Sequence, residues 1–353
     1  MIFYIFNLFS LFIWYFLVEF TSLAKKSKNK IFIIFVTMQL ITLSALRDFS
    51  VGADTATYAV RYNIISNTSW SNLSNISDML DFEMGYIYFN KLLTEINSNP
   101  QFLFLVTSII IYSLLGMFIH ENSKIPVISY FVFLSMGYWG NSLNALRQYI
   151  AISIILLALN SLIKQNSLIF ILLVAFASLF HTSALVFLII YPISKIKIGK
   201  VYYTSLIFLL LISSVFSTSI TRFAISMFKY EDLLSYLGKG SGIGMLSLLI
   251  VIAIIAQIYT FKSSNENGNL DLFIKILHIG IILNVLAMYF SLFGRLMLYF
   301  TIVLIIIIPN VIYSMKIPKD RMIAIFVTLS ILTIIYTFWI LSYDVGRVVP
   351  YLM

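Results

Sequence analysis

The stretch QFLFLVTSIIIYSLLGMFI (residues 101–119) contains no charged side chain. As an α-helix rising about 1.5 Å per residue, it extends about 30 Å, which is the thickness of the hydrocarbon core of a bilayer. Comparable apolar runs recur along the chain and predict further spans, among them residues 2–20, about 127–139, about 202–220 and about 295–314. Of the 353 residues, 61% are hydrophobic and 10% are charged, whereas soluble globular domains carry about 25% charged residues. The sequence therefore predicts an all-α, polytopic integral membrane protein.

Basic residues in the loops predict the orientation of the chain. The loop at residues 21–30 carries four lysines and no acidic residue, which places it in the cytoplasm. Residues 47–100 form the longest polar segment, with three basic and six acidic residues, and we expect an extracytoplasmic loop there that contains short surface helices. A second extracytoplasmic loop is expected at about 221–243. The whole chain, 1–353, is predicted to be a single membrane domain of about 12 transmembrane or half-membrane helices, with both termini outside.

Several classes of chemistry are excluded by what the sequence lacks. The chain has no cysteine, which rules out disulfides, thiolate metal sites and a cysteine nucleophile. It shows no P-loop, zinc motif or dinucleotide fingerprint and no acidic or histidine-rich cluster for a divalent metal. The net charge of +9 is typical of cytoplasmic loops in a membrane protein and does not indicate nucleic acid. We therefore expect no cofactor, no metal and no nucleic-acid partner.

The predicted topology gathers ionisable residues from separate parts of the chain at the outer face. Such groups near hydrocarbon cost a few kcal/mol each and usually face a cavity or a partner. Arginine binds phosphate oxygens bidentately, and a carboxylate or imidazole can take the proton of an attacking hydroxyl. A cationic cavity open to the outside is therefore predicted. Its candidate residues are Arg47, Asp48, Asp54, Glu83, Arg147, His181, Arg295 and Arg347.

Each candidate also has a purely structural interpretation. An arginine at a helix end can extend to the interface, and a lone histidine is more often a packing residue than a base. The functional interpretation is stronger for Arg147, because Asn144 and Gln148 add polar groups to the same helix start. It is also stronger for His181, because residues 167–194 are too short for two full spans and predict two short helices hinged near it. The other candidates have structural interpretations too. Arg47 could simply form an ion pair with Asp48, Glu83 could lie on a solvated helix face, and Arg295 could extend to the interface.

Six segments together resemble a known family of membrane proteins. They are RDFSVGADTATYAVRY (47–62), FEMGYIYFNKL (82–92), NALRQYIAISIILLAL (144–159), FHTSAL (180–185), GRLMLYF (294–300) and VVPY (348–351). In this order, and over nearly the whole chain, they are similar to the EpsG family of Wzy-type polysaccharide polymerases. The resemblance implies a multi-span fold related to C-type membrane glycosyltransferases. It also implies a bacterial inner-membrane enzyme that joins O-antigen, capsule or exopolysaccharide repeat units on undecaprenyl diphosphate at the outer, periplasmic face.

The resemblance also implies roles for individual residues in a metal-independent glycosyl transfer. We expect Arg47, Arg147 and Arg295 to hold the leaving diphosphate. Asp54, Glu83 and His181 are the alternative candidates for the base or for the group that holds the acceptor hydroxyl. Expected partners are the lipid-linked oligosaccharide, the lipid bilayer, a chain-length regulator and a flippase. Supporting roles fall to Asp48, Gly52, Tyr86, Asn144, Gln148 and Ser183, and Gly85 is a further position that matches the family motif.

Two functions from other classes fit parts of the sequence. A membrane O-acyltransferase of cell-surface glycans also uses a buried histidine, but it needs a cytoplasmic acyl donor, whereas His181 is predicted to face outward. A flippase or transporter of lipid-linked oligosaccharides should show internal repeats and charged residues at mid-membrane, and neither is evident. The polymerase is therefore the preferred prediction.

Overall fold

The computed structural model describes residues 2–228, 243–262, 269–341, 344 and 347–352. Within these residues the chain is helical and forms no β-strand, which confirms the predicted all-α class. Contacts group the chain into two compact units. The first comprises Met1–Leu185 and Ile317–Met353, and the second comprises Val186–Lys316. The prediction of a single membrane domain stays a prediction.

The apolar helices of the described chain match the predicted spans. Eight of them are long and apolar enough to cross a membrane, and the bent pair at residues 200–223 makes a ninth candidate. Three shorter apolar helices cover Pro126–Ser135, Ser167–Ser178 and Thr182–Lys195. Every predicted span therefore has a counterpart, including the two short helices on either side of His181, and the chain is an integral membrane protein.

The long helices of the first unit pack side by side. They are α1 (Ile2–Glu19), α2 (Lys25–Ala45), α6 (Pro100–Asn122), α7 (Pro126–Ser135), α9 (Leu146–Ile163), α10 (Ser167–Ser178) and α18 (Pro318–Ile334). α6 packs against both α2 and α9, α10 packs back on α9, and α7 contacts α1 and α18. The start of α6 shows why these boundaries arise: Pro100 occupies the first turn, and the Asn99 side chain accepts a hydrogen bond from the Gln101 amide at 2.9 Å.

Short helices make up the polar segment at residues 47–100, as predicted. They are α3 (Thr55–Ser66), α4 (Leu73–Leu80) and α5 (Met84–Ile96), and α5 packs against both α3 and α4. A further short helix, α8 (Tyr138–Asn144), follows α7. The predicted span at 127–139 therefore ends early, because Gly137 adopts a left-handed backbone with φ of 76° between the two helices.

The helices of the second unit are α11 (Ile190–Lys195), α12 (Lys200–Val215), α13 (Ser217–Phe228), α14 (Ile243–Lys262), α15 (Leu270–Ala287), α16 (Leu292–Thr301) and α17 (Leu304–Ser314). The unit is organised around α15, which packs against α12, α14 and α16. The span expected at 202–220 is broken into α12 and α13, bent by 77°, in the serine-rich stretch SSVFSTS (213–219), where serine side chains compete for backbone hydrogen bonds. The span expected at 295–314 corresponds to the candidate span Leu292–Ser314, in which a short turn separates α16 from α17.

The loop predicted at 221–243 lies only partly in the described residues. Its first part, residues 221–228, is helical and belongs to α13. Residues 229–242 lie outside the described residues.

Candidate active site in the first unit

The carboxylate of Glu83 joins three distant segments of the first unit. One oxygen, Oε2, pairs with Nη1 of Arg147. The other, Oε1, lies 2.9 Å from Nδ1 of His181 and accepts a hydrogen bond from the Thr182 amide at 3.1 Å. The side chains of Glu83, Arg147 and His181 are 16%, 18% and 23% exposed, so each is largely buried but still accessible to a ligand. The structure thus brings together two of the three candidate bases, Glu83 and His181, and one of the predicted diphosphate-binding arginines, Arg147.

All three residues sit where a helix begins or ends. Glu83 precedes α5 in extended backbone, Arg147 lies in the first turn of α9, and His181 connects α10 to the 3₁₀ helix Thr182–Ile189. The positive end of a helix dipole stabilises an anion and disfavours a cation. Glu83 at the start of α5 is therefore favourable, and its charge compensates for Arg147, which the dipole of α9 disfavours.

Gly85 allows α5 to approach the end of α10. A Cβ atom at this position would lie 2.5 Å from the carbonyl oxygen of Leu179 and 2.6 Å from its Cβ. No real side chain tolerates such distances, so any larger residue here would push the two helices apart. Because Glu83 and His181 lie just beyond this contact, Gly85 determines how close they come.

The environment of Glu83 keeps it ionised. Burial raises its pKa, but the hydrogen bond from His181 and the positive charge of Arg147 lower it more, from the ordinary value of 4.5 to about 2. An ionised carboxylate only accepts hydrogen bonds, so Nδ1 of His181 must carry the proton of the 2.9 Å contact. In neutral His181 the other nitrogen, Nε2, is then the basic one. Glu83 therefore orients a potential base.

An aromatic cluster supports the arginine of this site. The guanidinium of Arg147 lies over the ring of Phe82, 4.5 Å from its centre, and Arg61 lies over the same ring at 4.6 Å. Phe82 also stacks on Tyr58 at 5.6 Å and meets Tyr86 edge-on at 5.1 Å. Burial raises the pKa of Tyr58, an effect that the Arg147 charge partly offsets. Cation–π contacts of this kind fix the guanidinium position without neutralising its charge.

Arg47 lies away from solvent and is 1% exposed. Its Nη1 donates to the Ser44 carbonyl and its Nη2 to the Leu143 carbonyl at 3.2 Å, while the guanidinium stacks on Phe104 at 4.3 Å. Burial lowers the pKa of Arg47 from 12.5 to about 10. The alternative of an ion pair with Asp48 is not realised, since Asp48 accepts hydrogen bonds from the amide and hydroxyl of the neighbouring Ser50.

The segment after Arg47 is held by the end of the chain. The Asp48 amide donates to the Leu352 carbonyl at 2.9 Å, and the Gly52 amide donates to the Arg347 carbonyl at 2.8 Å. Gly52 has a φ of 104°, which favours glycine, and a Cβ there would lie 2.9 Å from the Asn144 side chain. Asp54 follows at the start of α3 and is exposed. The sequence VVPY (348–351) therefore belongs to a segment that packs on this loop.

The remaining supporting residues surround these contacts. Asn144 donates to the Gly140 carbonyl at 3.1 Å at the end of α8. Tyr86 and Gln148 are buried, whereas Ser183 is partly exposed in the 3₁₀ helix after His181. Asn144, Tyr86, Gln148 and Ser183 thus lie within a few residues of Arg147, Glu83 or His181, close to the same helix ends.

Arg295 belongs to the second unit. It lies in the first turn of α16 and is exposed. Its predicted part in diphosphate binding stays a prediction that rests on the sequence resemblance.

Sequence reasoning missed several contributors to the site. Tyr58 and Arg61 lie three residues apart on α3, so they share one helix face, and Phe82 precedes Glu83 directly. These positions stood within the recognised segments, but an aromatic residue in so aromatic a chain carries no distinguishing signal. Thr182 contributes its backbone amide, which a sequence motif does not reveal.

No group of three or more histidine, aspartate or glutamate side chains in the described residues has the arrangement of a metal site. The residues gathered around Glu83 offer a cation, an oriented imidazole and a single carboxylate. This set suits binding of an anionic group next to a hydroxyl whose proton is transferred.

A comparison with known protein families matches the chain over nearly its whole length. The sequence profile of the EpsG family covers residues 30–353. The chain belongs to the EpsG family. Members of the EpsG family are Wzy-like polymerases, which confirms the resemblance seen in the six segments and supports a polysaccharide polymerase-like role. No curated protein and no solved structure matches the chain. The expected relation of this EpsG-family chain to C-type membrane glycosyltransferases therefore stays a prediction.

Proposed function

We propose that this EpsG-family protein is a metal-independent glycosyltransferase that polymerises polysaccharide repeat units. It would transfer the growing glycan from undecaprenyl diphosphate to a second lipid-linked repeat unit at the outer face of the bacterial inner membrane. The observation that carries the proposal is the Glu83 carboxylate, which holds Arg147 and His181 together from three segments of an EpsG-family chain. An O-antigen, a capsule and an exopolysaccharide are all products of this chemistry.

His181 is the proposed general base. Its Nδ1 faces ionised Glu83 at 2.9 Å, which leaves Nε2 to accept a proton. A hydroxyl of the acceptor sugar would attack the anomeric carbon of the growing chain while its proton moves to Nε2. The bond from that carbon to the diphosphate oxygen breaks, and the lipid diphosphate leaves with the electron pair. A carboxylate that orients a histidine in this way has the same part in Ser-His-Asp triads.

Glu83 is a poor base in its own right. Its pKa of about 2 means that it holds a proton weakly, and both of its oxygens already accept hydrogen bonds. Asp54 is the other candidate base, because it is exposed at the start of α3 and its side chain does not cap that helix. The pH profiles of variants at these positions separate the two candidates.

Arg147 is the proposed binding group for the leaving diphosphate. Glu83 contacts Nη1, and the side chain is still partly exposed, so a phosphate can reach the guanidinium. Loss of one preorganised charge of this kind typically costs about 100-fold or more in rate. Arg47 is proposed to support the structure around the site, because its guanidinium donates hydrogen bonds to the backbone carbonyls of Ser44 and Leu143.

The test uses a strain that lacks the gene, complemented with the wild type or with Arg147→Ala, Arg147→Lys or His181→Gln. Gels of surface polysaccharide should show a long ladder with the wild type and single repeats with the three variants. The matched control is His120→Gln, since His120 is exposed on α6 and the substitution should leave the ladder intact. A normal ladder with Arg147→Lys would refute bidentate binding by the arginine.

The deletion strain also separates the rival functions. Single displayed repeats support a polymerase. Complete loss of displayed repeats would instead identify a flippase. An unchanged ladder with altered decoration would identify an O-acyltransferase.

A further inference from the structure

A cavity of about 360 Å³ opens beside α3 and the end of α4. Its wall is apolar apart from Thr57 and Arg61, and the apolar side chains include Val60, Ile64 and Met79. Val60 and Met79 are 59% and 62% exposed, so the cavity is open to a ligand. Such a surface would bind the hydrocarbon part of an amphiphile.

Arg61 supplies the charge in this cavity. In the part of the chain that the structure describes, no carboxylate forms an ion pair with Arg61 within 4 Å. Its guanidinium instead lies over Phe82, 4.6 Å from the ring centre. A cation held in place on an aromatic ring keeps its charge for an anionic ligand.

The cavity adjoins the Glu83–Arg147–His181 cluster through Phe82. Both guanidinium carbons are at most about 9 Å apart, since each lies within 4.6 Å of the same ring centre. Charge-assisted N–H···O contacts measure about 2.8 Å. One diphosphate can therefore contact both arginines.

We propose that Arg61 and this cavity form the subsite for the lipid end of the donor, an inference that rests on the proposed function. The sugar-proximal phosphate would contact Arg147, and the lipid-proximal phosphate would contact Arg61. The first isoprenoid units would then lie on Val60, Ile64 and Met79. This order follows the order of the groups in the ligand, in which the diphosphate joins the anomeric carbon to the isoprenoid.

The experiment measures binding of three probes to the full-length protein in phosphatidylcholine nanodiscs. The probes are farnesyl diphosphate, farnesyl monophosphate and inorganic diphosphate. Arg61→Gln should weaken farnesyl diphosphate binding about 10-fold or more, because it removes charge-assisted hydrogen bonds, and should weaken the monophosphate less. Val60→Gln should weaken both farnesyl probes but leave inorganic diphosphate unchanged. Arg222→Gln is the matched control, because Arg222 is an exposed arginine of the second unit.

Several results would overturn the subsite. These are wild-type affinity of Arg61→Gln for all three probes, equal affinity of the wild type for farnesyl diphosphate and inorganic diphosphate, and displacement of farnesyl diphosphate by phosphatidylglycerol in the nanodisc. If the subsite fails while His181→Gln still abolishes the ladder, the proposed function stands. If farnesyl diphosphate binds as expected while His181→Gln leaves the ladder intact, the polymerase mechanism fails instead.

Discussion

Glu83→Gln removes the charge at the centre of the candidate site while it preserves the size of the side chain. In the native site, Arg147, His181 and the Thr182 amide all donate to the carboxylate. The amide of glutamine has one accepting oxygen and one donating nitrogen. Whichever way it is oriented, its NH₂ group faces either Nη1 of Arg147 or Nδ1 of His181.

The consequence for His181 is a change of tautomer. If the amide nitrogen faces Nδ1, that atom must accept, so the proton moves to Nε2 and the base is lost. If the amide nitrogen faces Arg147, two donors oppose each other and the guanidinium is displaced. The wrong tautomer costs about 10⁴-fold in a Ser-His-Asp triad. We expect a loss of polymerisation rate on the order of 10³-fold or more for Glu83→Gln.

The effect of Glu83→Gln on stability should be much smaller than its effect on rate. A pKa lowered from 4.5 to about 2 corresponds to at most about 3.4 kcal/mol. Solvent contact with the partly exposed site reduces this to about 1–2 kcal/mol. The variant should therefore still fold and insert, so that its loss of activity reports on chemistry.

The assay follows chain extension by purified protein in nanodiscs, with the lipid-linked repeat unit of the native strain as substrate. Glu95→Gln is the control, because Glu95 lies on α5, the helix that follows Glu83, is 54% exposed and pairs with Lys91. It should extend chains at the wild-type rate. A rate for Glu83→Gln within about threefold of the wild type would refute the orientation of His181 by Glu83.

Three further predictions concern the structure around the site. Gly85→Ala should destabilise the protein by about 1–3 kcal/mol and shorten the ladder, because its Cβ would strike the Leu179 carbonyl; thermal unfolding and gels measure this. Arg47→Lys should lower the unfolding free energy by about 2 kcal/mol, since lysine loses one carbonyl contact and the stacking on Phe104. The extra thermal stability of the wild type over Glu83→Gln should be fully present above pH 4.5 and should disappear as the pH falls from 4.5 through about 2.

Matched variants test these three expectations. Gly140→Ala should not destabilise the protein, because Gly140 lies within α8 and a Cβ there would meet only the Val348 side chain, at an ordinary 3.8 Å. Arg222→Lys, on an exposed arginine, should leave thermal stability unchanged. Wild-type stability of Gly85→Ala, or an Arg47→Lys variant as stable as Arg222→Lys, would contradict the packing described. For the pH series, a stability difference between wild type and Glu83→Gln that persists unchanged at pH 3 would contradict the low pKa.

The helices of this protein are evident in its sequence because each depends on local properties. A run such as residues 101–119 must satisfy its own backbone hydrogen bonds in hydrocarbon, and a helix is the solution that needs no other segment. The hinge at His181 was likewise predicted, since residues 167–194 are too few for two full spans. The breaks at Gly137 and at 213–219 were missed, because a glycine and uncharged serine and threonine residues also occur within continuous transmembrane helices.

The partners within the site depend on contacts between distant segments. Arg47 and Arg147 both lie at helix ends in polar sequence, so sequence analysis assigned the same role, diphosphate binding, to both. The fold buries Arg47 among backbone carbonyls and leaves Arg147 on a carboxylate. Glu83 meets His181 because Gly85 permits the close approach of α5 to the end of α10, and no local pattern encodes that approach. Composition and motif order were enough for the membrane fold and the family, whereas which side chains meet was settled by the packing of helices far apart in the chain.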